Sequence, residues 1–115
     1  MSNTVLIVDD EPLLLSVFRR HLAKQGYAVL TAVNGREAIE IFNTHASIIH
    51  TIVLDIHLSG DLSGWDVVEE IQRTAHTPKI VCMSGEPQPF STPSVNAFLE
   101  KPFRVQHLIE LIQVL

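Results

Sequence analysis

Two rhythms of apolar residues alternate along this chain. Short, nearly unbroken apolar runs at residues 4–9, 27–32, 49–54, 79–83 and 97–99 read as five strands. The third is almost wholly apolar, as expected for a strand covered on both faces. Between the runs, apolar positions return at helical spacing. Leu15, Phe18 and Leu22 mark a first helix, and Ala38, Ile41 and Phe42 a second. Val67, Val68 and Ile71 mark a third, and Val105, Leu108, Ile109 and Ile112 a last one over 104–114. Pro12 suits a first helical turn, where its missing N–H would be unpaired anyway. Gly26 suits the stop of that helix. Asn34-Gly35 turns the chain into the second helix, and Gly64 opens the third.

Strands alternating with helices predict an α/β fold, a parallel sheet with helices on both faces. Right-handed crossovers restrict its topology. Sites in open sheets of this class form at the carboxyl ends of the strands. The polar residues obey that rule. Asp9 and Asp10 end the first strand, and Asp55 ends the third. Ser84 follows the fourth, and Lys101 follows the fifth. Scattered surface charges would rarely share one edge.

A chain of 115 residues has room for one domain, taken as 1–115. Hydrophobic residues at 46% and charged residues at 18% fit a folded globule. A net charge of −5 argues against direct binding to nucleic acid or to an anionic membrane. No apolar run approaches the ~20 residues that span a bilayer. The apolar run after Met1-Ser2-Asn3 has no basic flank and ends in Asp9-Asp10, so it does not read as a signal peptide. The single cysteine, Cys82, lies in an apolar strand and reads as a core thiol, which fits a reducing cytoplasm.

Carboxylates ~4 Å apart repel by about 4 kcal/mol per pair at an effective dielectric near 20. A divalent cation offsets that, and Mg²⁺ favours one or two carboxylates with water and a phosphate. Lys101 adds a positive charge and Ser84 a hydroxyl. Such a set suits in-line attack of a carboxylate on a phosphoryl group, giving an aspartyl phosphate.

At this point the chain resembles a known family, the receiver domains of two-component response regulators. The matching residues are Val8-Asp9-Asp10-Glu11-Pro12, Leu54-Asp55, Met83-Ser84-Gly85 and Phe98-Leu99-Glu100-Lys101-Pro102-Phe103, spread over residues 4–114. The resemblance implies a flavodoxin-like, doubly wound sheet of strand order 2-1-3-4-5. It implies phosphorelay signalling, with Asp55 accepting a phosphoryl group from a phosphohistidine on a sensor histidine kinase or a histidine phosphotransfer protein. Asp10, Asp55 and the backbone carbonyl of His57 would ligate Mg²⁺, with Asp9 acting mainly through a water. Lys101 would pair with the phosphoryl oxygens, across a cis bond to Pro102. Ser84 and Phe98 would carry the conformational switch. The chain would be a self-phosphorylating and self-dephosphorylating acceptor in the cytoplasm, not an enzyme acting on other molecules.

Two departures from the family stand out. The loop after Asp55 has Ser59 where the family carries proline, and its glycine, Gly64, comes nine residues on instead of eight. The extra residue is expected at the surface, with Asp55 unmoved. The interval from Ser84 to Lys101 is short and holds Pro87, Pro89 and Pro93. Interior proline disfavours a helix by ~3 kcal/mol. The helix between the fourth and fifth strands is therefore expected to be lost or reduced to a turn over 85–96, which changes the output face.

Simpler readings stand beside these. Asp9-Asp10 alone fits a solvated turn, and Ser84-Gly85 an ordinary one. The six histidines show no ligand spacing and read as surface or rim residues. His57, two residues after Asp55, could tune the attacking water, as could Glu86, two after Ser84. Trp65 reads as half-buried packing. Two other functions compete with the receiver reading. One is a phosphorylation-independent interaction module on the same fold. The other is a small phosphatase with an aspartate nucleophile, disfavoured because no second acid stands two residues after Asp55.

Overall fold

The five expected strands are β1 (Thr4–Val8), β2 (Ala28–Ala32), β3 (Ile49–Asp55), β4 (Lys79–Ser84) and β5 (Ala97–Glu100). The helices are α1 (Pro12–Lys24), α2 (Gly35–His45), α3 (Gly64–Gln72) and α4 (Val105–Val114). The structure is a computed structural model that describes residues 3–86 and 94–115. All strand pairings are parallel, and the sheet order is β2-β1-β3-β4-β5, as the resemblance implied.

The period-two geometry of a strand sorts the apolar runs into two cores. Leu6, Val8, Ile52, Leu54, Ile80 and Cys82 face one side, under Ala38 and Phe42 of α2 and Val67, Val68 and Ile71 of α3. Val5, Ile7, Val53, Val81 and Met83 face the other, under Leu15, Phe18 and Leu22 of α1 and Leu108, Ile109 and Ile112 of α4. Both cores are needed to cover the sheet, which explains why β1 is buried at every position. Truncating a core side chain such as Phe42, which is 1% exposed, would cost about 3–5 kcal/mol.

Local chemistry sets the helix ends. Pro12 stands in the first turn of α1, and Gly26 at φ +92° ends it while the Tyr27 N–H returns to the Leu22 carbonyl (3.2 Å). Asn34 caps α2 by accepting from the Glu37 N–H at 2.8 Å. Ser63 and Asp66 form a reciprocal capping box at the start of α3.

Between β4 and β5, Gly85 and Glu86 form a bend and Ser94–Asn96 a turn, with no helix among the described residues. The expected loss of a helix over 85–96 falls mainly on residues 87–93, which lie outside the described residues. At the far end of that connection, Asn96 exchanges two bonds with Ile80, N–H to carbonyl and side-chain oxygen to N–H, each 2.8 Å. No helix among the described residues is long and apolar enough to cross a membrane.

Candidate functional site

Parallel register brings the ends of β1, β3 and β5 to one edge, and the polar residues meet there. Asp9 is fully buried, with its own N–H on the Ala32 carbonyl (3.1 Å) and its Oδ1 accepting from the Glu11 N–H (3.0 Å). Asp55 is 6% exposed, and its Oδ1 accepts from the His57 N–H at 2.8 Å. Asp10, partly exposed, accepts from the Ser59 N–H at 3.2 Å. Oxygens of Asp9, Asp10 and Asp55 lie within 4.8 Å of one another.

Lys101 is the counter-charge. Its ammonium donates to Asp9 Oδ2 and Asp55 Oδ2, each at 2.8 Å. Burial alone would push its pKa down, but the hydrogen bonds and charges of Asp55 and Asp9 outweigh that and hold it above its ordinary value. Three carboxylates against one ammonium leave two negative charges. A hard divalent cation matches both that charge and the all-oxygen donor set. The residues therefore fit Mg²⁺.

Ser84 is buried at the end of β4, its Oγ accepting from the Glu86 N–H (3.0 Å) and its carbonyl from the Lys101 N–H (2.7 Å). The fourth strand is thus tied directly to the site lysine. The Lys101–Pro102 bond is cis, as expected. Phe98 is half-buried, with its ring 6.0 Å from Trp65 and tilted by 54°. Trp65, expected as half-buried packing, is 37% exposed and is the ring partner of Phe98.

Asp9, Asp10, Asp55 and Lys101 are brought together, Ser84 is tied to Lys101 through the backbone, and Glu86 and His57 stand at the margin. Both side chains are exposed, and each is attached to the site through its backbone N–H. The other histidines, His21, His45, His50, His76 and His107, take no part in the acidic cluster.

The extra residue of the β3–α3 loop lies at the surface, where Ser59, Gly60 and Asp61 are exposed and Asp55 stays buried. Gly64 closes the loop against the sheet. A Cβ there would stand 2.4 Å from the Ile56 Cα and 2.6 Å from the Asp55 carbonyl oxygen, a space only glycine fits. The role of Gly64 as a close-contact residue was missed in the sequence, and so was the cap before it. The signal for the cap was the Ser63-Gly64-Trp65-Asp66 spacing. Arg36, which pairs with Asp61 across this loop, gave no local signal.

The family model described as the response regulator receiver domain matches residues 5–113. A probable transcriptional regulator, ycf27 of Cyanidium caldarium, is 40% identical over 82 residues, covering 71% of this chain and 32% of that protein. The chain spans less than half the length of the first curated relatives it matches. The receiver domain of the hybrid histidine kinase CckA superposes with a TM-score of 0.84 at 29% identity, covering 96% of each chain. The response regulator TrrA of Thermotoga maritima, in complex with Mg²⁺ and BeF, does so with a TM-score of 0.83 at 29% identity, covering 99% of this chain and 98% of that one. An acidic pocket at the carboxyl edge of a 2-1-3-4-5 sheet, with its lysine on the fifth strand's exit and a family match over nearly the whole length, places this chain among the receiver domains of response regulators.

Proposed function

We propose that Asp55 is the phosphoacceptor of this receiver domain and that Asp9, Asp10 and Asp55 hold Mg²⁺ for the transfer. The observation that carries the proposal is Lys101, whose one ammonium bonds both Asp9 and Asp55 at 2.8 Å inside a cluster with two uncompensated negative charges. The Mg²⁺–BeF complex of the Thermotoga relative supports the choice of cation. The carbonyl of His57 would add an oxygen ligand. Bound Mg²⁺ supplies charge neutralisation between the carboxylates and the incoming phosphoryl oxygens.

In the transfer, an Asp55 carboxylate oxygen attacks the phosphorus of a phosphohistidine on a kinase or phosphotransfer protein. The phosphorus–nitrogen bond breaks, its electron pair returns to the imidazole, and the acyl phosphate forms. Lys101 then turns its donors toward the phosphoryl oxygens. Ser84 swings its hydroxyl to the same group, and Phe98 moves behind it. Water later cleaves the acyl phosphate, with the His57 side chain and Glu86 at the margin tuning its approach. The chain is in this sense a self-modifying acceptor, not an enzyme for other substrates, and the cytoplasm is the setting that suits it.

The contact between Phe98 and Trp65 provides a readout. Adding beryllium fluoride with Mg²⁺ should change Trp65 emission in the wild type and leave Asp55→Asn unchanged. Equal responses in both proteins would remove Asp55 from the proposal. No response to Mg²⁺ or beryllium fluoride in either would favour a phosphorylation-independent interaction module.

A further inference from the structure

Beside the acidic cluster runs a groove of about 520 Å³ between the β3–α3 loop and the start of α2. Asp10, Glu37, Glu40 and Asp61 line it, and Arg36 is the one cation among the lining residues. The Arg36 guanidinium donates to Asp61 Oδ2 at 2.5 Å, across 25 positions of sequence. The hydrogen bond from Arg36 and its charge hold the Asp61 carboxyl below its ordinary pKa.

Two residues before Asp61, the Ser59 N–H holds Asp10 Oδ2 at 3.2 Å. Gly60 joins them at φ +101°, a left-handed conformation that fixes the direction of the chain between the two anchors. On the other side of Asp61, Leu62 lies against the first residue of α2. A Cβ on Gly35 would stand 2.9 Å from the Leu62 Cβ. The loop is thus strapped to α2 at one end and bonded to a carboxylate of the cluster at the other.

We infer that Arg36 is a positioning residue for the cation site, acting through Asp61 and the Ser59 N–H to hold Asp10 in its ligating place. The inference rests on the reading of Asp9, Asp10 and Asp55 as a Mg²⁺ site. Most exposed ion pairs contribute little. This one differs because it closes a loop whose other anchor is a functional carboxylate.

The sign of one measurement separates this role from a simple charge effect. Removing a cation near an anionic site strengthens Mg²⁺ binding by Coulomb attraction. Loss of a positioning strap weakens it. Titration of the full chain with Mg²⁺, followed by calorimetry and by the Ser59 amide in nitrogen–proton spectra, should show Arg36→Ala weakening the affinity about two- to fivefold. The Ser59 amide should shift before any Mg²⁺ is added, while the melting temperature barely moves. The charge swap Arg36→Asp with Asp61→Arg should recover most of the lost affinity. Unchanged or tighter binding in Arg36→Ala overturns the inference and leaves the cation site standing. A wild type that binds no Mg²⁺ overturns the site and the inference together.

Discussion

A short loop and a long one flank the same site, and they are held in different ways. The β1–α1 loop is three residues long and needs few anchors, though its Asp10 is held by Ser59 of the other loop. Asp9 takes the Glu11 N–H, the Asp9 N–H takes the Ala32 carbonyl, and Pro12 starts the helix. The β3–α3 loop is longer and is held at both its base and its tip. Its anchors are Gly64 against Ile56, Ser63 with Asp66, Asp61 with Arg36, and Ser59 with Asp10. Asp9 in the short loop is fixed by its own turn and by the adjacent strand. The long one depends on several contacts at once, two of them across 25 and 49 positions of sequence, so it is where this receiver can be tuned without replacing its acids.

The largest expected effect comes from the tightest contact of the long loop. Gly64→Ala forces a Cβ to within 2.4 Å of the Ile56 backbone. Overpacking against backbone should destabilise the protein by about 3 kcal/mol or more, read by urea denaturation. A loss under about 1 kcal/mol would mean that the loop yields easily, and the contrast with β1–α1 would fail.

Lys101 ties the end of β1 to the end of β3, since it bonds both Asp9 and Asp55. Lys101→Met should cost about 2–3 kcal/mol without Mg²⁺, less than for a wholly buried pair because the lysine side chain is 21% exposed. Added Mg²⁺ should restore part of it. The lysine's pKa is raised on folding, so its stabilising contribution is full below its ordinary value of 10.5 and lost as the pH climbs through the raised one. The stability gap between wild type and variant should therefore hold steady through neutral pH and narrow only in strong alkali. A gap that closes near neutrality would contradict the assigned ion pairs.

A smaller effect is expected at the cap. Ser63→Ala removes an acceptor from the first turn of α3 and should cost about 1 kcal/mol in thermal melts. The equivalent cap-free junction at Glu11 shows no side-chain cap to lose. Smallest is Cys82, which is fully buried and whose thiol burial pushes up to about 12. Thiol reagents should leave it unmodified in the native state and label it after denaturation.

Much of the fold and the acids of the site were legible because they are written locally. Short apolar runs such as 51–54 suit strands covered on both sides, and the acids stand at the ends of two such runs. The parallel sheet then does the gathering. The strap was not legible, because Arg36 and Asp61 are 25 positions apart and nothing near either one points to the other. The bond from Ser59 to Asp10 spans 49 positions. The Trp65–Phe98 contact likewise depends on the approach of α3 to β5. The departures from the family pattern were visible as spacing, but their consequences depend on the path of the loop.

The proposed function requires that the carboxylate ending β3 becomes phosphorylated with Mg²⁺ as its aid. Intact-mass measurement after incubation with a small-molecule phosphodonor, with peptide mapping of the product, tests it most directly. One phosphoryl group on Asp55 in the presence of Mg²⁺, absent with chelator and absent in Asp55→Asn, is the predicted result. Modification at another residue, or at Asp55 to the same extent with chelator present, would contradict it.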